Sequence, residues 1–328
     1  MTIQRMTAPG NGRLEWLDAA KGLGIILVVA GHVWTRGPVR DAIYAFHMPL
    51  FFLLAGYVAR PRPMLECFKA HWRSLAVPYI AFLLMLALAD QLIEHMRGHL
   101  PIFRSWEGGA RALLIGGSEL SGPFTIFWFV PCLFFARLMQ NALLLRSANI
   151  WSGWWVAMMA ISFGAGLWIG ARYDFSPLGL LSMPVALPLL WLGMGWRLLV
   201  NDRLLVALGA VIATVIMLAS WPLAPLNMKT GGYGPSLWSL PIALFLSLGI
   251  CWLARLMPLR VLQNLGRMSL VIMFCHVALI HYCAPYFGKW ALLAVALGGS
   301  AIIYMLLNGT DFGRRFFLGQ QHMVPRGA

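Results

Sequence analysis

The sequence predicts an all-α polytopic membrane helix bundle of about ten transmembrane helices, and three observations carry that prediction. Hydrophobic residues fill 60% of the 328 positions and charged ones only 11%, which is more apolar side chain than a soluble globule can bury. Apolar runs of about 20 residues, the length that crosses a bilayer as a helix, recur from Leu17 to Asn308 with no long hydrophilic block between them. The 25 Lys and Arg residues are scattered in short stretches between those runs. That pattern suits loop charges that orient a membrane protein, not the basic face of a soluble module that docks nucleic acid. The net charge of +14 therefore implies no nucleic-acid partner.

In chain order the spans are expected near 15–35, 42–59, 75–94, 125–145, 150–170, 178–199, 203–221, 237–257, 264–283 and 289–308. They form one transmembrane domain over 15–308, between cytoplasmic tails at 1–14 and 309–328. The first run is expected to stay as a helix, because Glu15, Asp18 and Lys21 crowd its start and no A-x-A cleavage site follows. The gap at 95–124 contains Gly108, Gly109, Gly116, Gly117 and the apolar piece Ala112 to Ile115, and reads as a loop with an interfacial segment. With the N-terminus inside, 16 of the 25 basic residues fall on the cytoplasmic side and 8 outside, and an even number of spans brings the C-terminus back to the cytoplasm.

Stretch 60–74 reads as the richest cytoplasmic loop, with Arg60, Arg62, Lys69, Arg73 and His71. It serves either as a topology signal or as a grip on anionic membrane lipid or a phosphorylated cofactor. The five cysteines lack C-x-x-C spacing and lie mostly in apolar runs, as small buried hydrophobes do. Prolines at 49, 78, 131, 184, 188 and 241 fall within spans. Each removes a backbone donor and frees a carbonyl one turn earlier, so bent helices are expected, to enclose a cavity or simply to pack.

Ionisable groups inside a span are costly and mark function by default. The apolar part of the first run is too short to cross unless it includes Leu17 to Lys21, which brings Asp18 and Lys21 to the cytoplasmic end. Lys21 and His32 are eleven residues apart; at ~100° and ~1.5 Å per residue this places them on one stripe, about 16 Å apart along the helix. Asp18 shares the stripe and can neutralise or orient the ammonium, while a lysine that snorkels to lipid phosphate is the alternative. His47 lies at a depth similar to that of His32, and Pro49 bends its helix beside it. Either histidine can be a hydrogen-bonded packing residue or a functional one. A metal held by His32, His47 and His276 lacks a compact ligand motif, and no metal is expected.

The segment Leu17-Asp-Ala-Ala-Lys-Gly-Leu-Gly-Ile-Ile-Leu-Val-Val-Ala-Gly-His32, followed by Phe46-His-Met-Pro-Leu-Phe-Phe-Leu-Leu-Ala-Gly-Tyr57, resembles the opening of the acyltransferase 3 family of membrane O-acyltransferases, especially its fucose 4-O-acetylase-like branch. Arg73-Ser-Leu-Ala-Val-Pro-Tyr79 is similar to the family's entry to its third helix, and Leu265-Gly-Arg267-Met-Ser-Leu270 with His276 to its late Gly-x-x-Ser…His segment. The family often carries Arg-x-x-Arg before the third helix; here Lys69 and Arg73 are four apart. Many members add a hydrolase-like domain after the last span. Only residues 309–328 follow Asn308 here, so transfer is expected to finish within the membrane domain or on a separate protein.

The resemblance implies transfer of an acyl group, commonly acetyl, from cytoplasmic acetyl-CoA or another small acyl-CoA to a hydroxyl of a glycan or lipid-linked sugar at the outer leaflet of a bacterial cytoplasmic membrane. On that reading Lys21, Lys69 and Arg73 hold the donor's phosphates, and Asp18 and Arg267 are further site candidates. His32 is the general base, His47 assists, and His276 is a further candidate. A covalent acyl-histidine relay is a variant of the same chemistry. From another class, a proton-coupled secondary transporter also suits bent helices with intramembrane Asp, Lys and His.

Overall fold

A computed structural model describes residues 14–199, 202–219, 223, 225–233, 239–257 and 259–320. Most of the expected N-terminal tail and the end of the C-terminal one lie outside the described residues. Every regular element among the described residues is helical, apart from one antiparallel bridge between Asn227 and Gly232. The helices are α1 (Glu15–Val33), α2 (Pro38–Tyr57), α3 (Met64–Arg97), α4 (Trp106–Ile115), α5 (Gly122–Arg146), α6 (Gly153–Gly170), α7 (Pro177–Leu198), α8 (Asp202–Ala219), α9 (Ser239–Leu256), α10 (Arg260–Arg267), α11 (Ser269–Cys283), α12 (Lys289–Asn308) and α13 (Asp311–Phe316).

Seven of them, α1, α3, α5, α6, α7, α9 and α12, are long and apolar enough to cross a membrane, and α10 with α11 makes an eighth candidate bent by 79°. The expected ten includes α2 and α8 by position only. Arg40, Asp41 and His47 lower the mean hydropathy of α2, and the apolar part of α8, Arg203–Ala219, is short.

Stretch 60–74 differs from its reading as a loop, because α3 begins at Met64 and runs for 34 residues. Pro63 precedes the first turn, and Met-Leu-Glu-Cys-Phe-Lys-Ala-His is good helix sequence. Where Pro78 withholds its donor, the turn just before it, Trp72–Ala76, widens into π-helix. Pro131 and Pro184 follow short 3-10 segments, Gly122–Trp128 and Pro177–Ser182, and lie in the first turn of the α-helix beyond. There a missing donor leaves no intrahelical bond unmade. Pro49 and Pro188 lie inside regular α-helical stretches.

The gap at 95–124 contains α4, capped by Ser105, whose Oγ accepts from the backbone N of Gly108 at 3.1 Å. Trp106 and Leu114 on this helix are exposed, as an interfacial segment requires. The core is aromatic at its centre. Phe274 of α11 lies 4.9 Å from Phe82 of α3 and 4.9 Å from Phe127, ring centre to ring centre. This ties the 3-10 segment that opens α5 to two other helices.

Helix α10 packs along the first half of α1, and two glycines permit it. A Cβ on Gly22 would collide with the backbone of Leu262, and one on Gly266 with the backbone of Asp18. At the end of that contact the chain breaks at Met268, and α11 departs at 79°. The resulting elbow sets Arg267 against one end of α1, and α11 carries His276 toward the other.

Candidate active site

Three histidines on three helices share one local geometry. Nδ1 of His32 lies 2.8 Å from the carbonyl of Val28, that of His47 is 3.1 Å from Ile43 O, and that of His276 is 2.7 Å from Ile272 O. Each imidazole thus folds back on the carbonyl four residues earlier. A carbonyl only accepts, so Nδ1 carries the proton and donates, and Nε2 is left with its lone pair.

Two of the rings are in direct contact. Nε2 of His276 is 3.5 Å from His32 Nδ1, with ring centres 4.9 Å apart and nearly perpendicular. Nε2 of His32 faces the other way and is 3.4 Å from the hydroxyl of Tyr44, which donates to it. Tyr44 also links the two sequence-predicted histidines, its ring centre being 5.9 Å from that of His32 and 4.6 Å from that of His47. The guanidinium of Arg40 lies 3.9 Å over the Tyr44 ring and pairs with Asp41 at 2.9 Å.

His32, Tyr44 and His47 form one wall of a cavity of about 230 Å³, with Thr125 and Trp128 of α5 and Lys229 on other sides. His276 does not line it and is fully buried behind His32. Lys229 arrives on the loop between α8 and α9. The Asn227–Gly232 bridge closes that loop, the backbone N of Leu226 donates to Tyr44 O at 3.3 Å, and the Ser182 hydroxyl donates to Met228 O. The Lys229 ammonium donates to Leu120 O at 2.7 Å and to Thr125 Oγ1 at 2.9 Å. Burial holds its pKa below the ordinary lysine value.

At the opposite end of α1 the buried carboxylate of Asp18 is 3.4 Å from Lys21 Nζ and 3.7 Å from Arg267 Nε. Asp18, Lys21 and Arg267 therefore form one ionic group. Lys69 and Arg73 are exposed on α3. Arg73 lines a separate cavity of about 490 Å³ with Trp72 and with Arg315 and Gln320 from the end of the chain; Lys21 and Lys69 do not line it. The expected donor cluster is thus divided between two places. Among the described residues no group of three His, Cys, Asp or Glu is arranged to hold a metal ion.

Sequence reasoning missed Tyr44, Arg40, Lys229 and Arg315. Tyr44 had a legible signal, being one turn before His47 on the same helix face. The three cations read only as loop charges.

A bundle of apolar helices long enough to cross a membrane, with an imidazole lone pair opening on a polar cavity, has the form of an integral membrane protein. The chain belongs to the acyltransferase 3 family, whose model, described as an acyltransferase domain, matches residues 14–307. It is also similar to the Nodulation protein NolL of Sinorhizobium fredii (strain NBRC 101917 / NGR234), with 30% identity over 193 residues that cover 53% of this chain and 50% of that protein. The chain spans about half the length of this curated relative. No solved structure matches it.

Proposed function

We propose that the protein is a membrane-bound O-acyltransferase that moves acetyl, or another small acyl group, from cytoplasmic acyl-CoA to a hydroxyl of a glycan or lipid-linked sugar at the outer leaflet of a bacterial cytoplasmic membrane. Family membership supports the reaction class. The observation that carries the mechanism is the orientation of His32, with Nδ1 held by the Val28 carbonyl and Nε2 turned to the cavity.

In this mechanism His32 Nε2 removes the proton of the acceptor hydroxyl as its oxygen attacks the thioester carbonyl. The C–S bond then breaks, and the imidazolium returns the proton to the departing CoA thiolate. Positive charge on His32 during the step is shared through Nδ1–H with Val28 O and His276 Nε2. The Tyr44 hydroxyl marks the position at Nε2 that an acceptor hydroxyl takes.

At the cytoplasmic end, Arg73 with Arg315, and the Lys21–Arg267 pair around Asp18, offer the guanidinium and ammonium donors that CoA phosphates need. Both termini lie in the cytoplasm in this reading, as the distribution of basic residues favours. A reporter fused after Ala328 that is active only outside the cytoplasm refutes that orientation.

The test of function is transfer of labelled acetyl from acetyl-CoA to a lipid-linked glycan by purified protein in lipid nanodiscs. Wild type transfers label, and His32→Ala loses about 10²–10⁴-fold of the rate, the usual range for removing a general base. Near-normal turnover by His32→Ala in correctly inserted protein overturns the mechanism. Solute movement across the bilayer without any transfer favours a transporter instead.

A further inference from the structure

We infer that the acceptor carries an anionic group, a carboxylate or a phosphate, and that Lys229 binds it in the cavity onto which His32 opens. The inference rests on the acyltransferase reading and names the chemistry of its acceptor.

Lys229 is distinguished by its place, since it lines the cavity onto which His32 opens. Among the described residues its hydrogen bonds go to two uncharged oxygens, Leu120 O and Thr125 Oγ1, and an ammonium has three donors. One N–H has no partner among the described residues. Among the described residues no carboxylate lies within 4.0 Å of Nζ, whereas Lys21 has Asp18, Arg40 has Asp41 and Arg314 has Asp311. No acidic residue lines the cavity. A half-buried cation without a counter-charge is costly to hold, and the fold goes to some length to hold this one.

That effort is visible in the loop. The Asn227–Gly232 bridge, the bond from Leu226 N to Tyr44 O and the bond from Ser182 to Met228 O fix the backbone on both sides of Lys229. A lysine that serves only as a topology signal extends into solvent or lipid headgroups; this side chain turns inward to α5. Beside it the cavity offers the Asn227 amide, the Thr125 hydroxyl and the Trp128 ring. A hydroxyl-rich ring is gripped by such groups, and a charged substituent on it completes the ammonium. Arg40 lines the same cavity, but Asp41 already neutralises it.

The anion can belong to a sugar acid in the glycan or to the phosphate of a carrier lipid. The experiment uses two pairs of acceptors with purified protein in nanodiscs: a uronate-containing oligosaccharide against its methyl ester, and a neutral glycan on a diphosphate lipid against the same glycan released. In at least one pair kcat/KM favours the charged member by about tenfold or more, the effect of one charge-assisted hydrogen bond. The responding pair identifies the source of the anion. That ratio collapses toward one in Lys229→Gln and persists in Lys229→Arg. Transfer by wild type without charge preference, or a preference unchanged in Lys229→Gln, overturns this inference alone. Absence of transfer to all four acceptors overturns the acyltransferase reading and this inference with it.

Discussion

His276 meets His32 edge to face, Nε2 to Nδ1 at 3.5 Å, from a position 244 residues further along the chain. The contact joins α11 to α1 at the level of the cavity, yet His276 does not reach the cavity itself. In the proposed mechanism it is a positioning residue that accepts from the proton-bearing side of the base, the third member of an acceptor, base and orienter arrangement.

Replacement of His276 by Ala should lower kcat by about tenfold, the value of one lost hydrogen bond to a charge-bearing ring, with little change in the acceptor KM. Glutamine, whose side-chain oxygen can accept in place of Nε2, should restore part of the loss. A merely structural role predicts equal damage from both variants in amount of folded protein, which size-exclusion chromatography measures alongside turnover.

Tyr44→Phe keeps the ring between the two histidines and removes only the hydroxyl. The bond it makes to His32 Nε2 is long, at 3.4 Å, so its loss is small. Turnover should change by about two- to fivefold, far less than in His32→Ala. A loss as large as that of His32→Ala would make the phenol, and not the imidazole, the group that handles the acceptor proton.

Much of this arrangement was legible in the sequence, and the divide between what was and was not is physical. Period and length located the helices that carry His32, His47 and His276, because a bilayer demands long apolar runs. The similar depth expected of His32 and His47 from helix rise agrees with their lining one cavity. The meeting of His32 with His276 was not legible from spacing, since a contact between α1 and α11 depends on the elbow at Met268; only the family resemblance pointed to His276. Lys229 was hidden because a lysine between two spans has the same appearance whether it orients the chain or enters a site. Residues 64–74 misled by charge: Lys69 and Arg73 read as loop, although Met64, Leu65, Glu66 and Ala70 favour helix.

Arg73 and Arg315 line one cavity from opposite ends of the chain. Neutralising both, as Arg73→Gln with Arg315→Gln, should raise the acyl-CoA KM by about tenfold or more, as expected for two phosphate-binding guanidiniums. Titration of the donor at saturating acceptor measures it. Wild-type donor affinity in the double variant would reduce these residues to topology signals.

Gly266→Val should destabilise the protein, because the added side chain meets the Asp18 backbone and forces α10 away from α1. Overpacking of this kind costs about 1–3 kcal/mol. Thermal unfolding in nanodiscs should show a lowered Tm, while Gly288→Ala, at a position with open space around it, should leave the Tm near wild type. Equal Tm values for both variants would show that α10 and α1 tolerate separation.

The folding back of each imidazole on its own helix has a consequence for how such a protein diverges. The orientation and tautomer of His32 are set by the carbonyl of Val28 in the same helix, so the base owes nothing of its aim to the loop that carries Lys229. Chain lengths and sequences between α8 and α9 can therefore drift, lengthen or be exchanged, and the proton-handling centre survives each change. New acceptors are then reached by remodelling the outer loops while an inherited reaction continues beneath them.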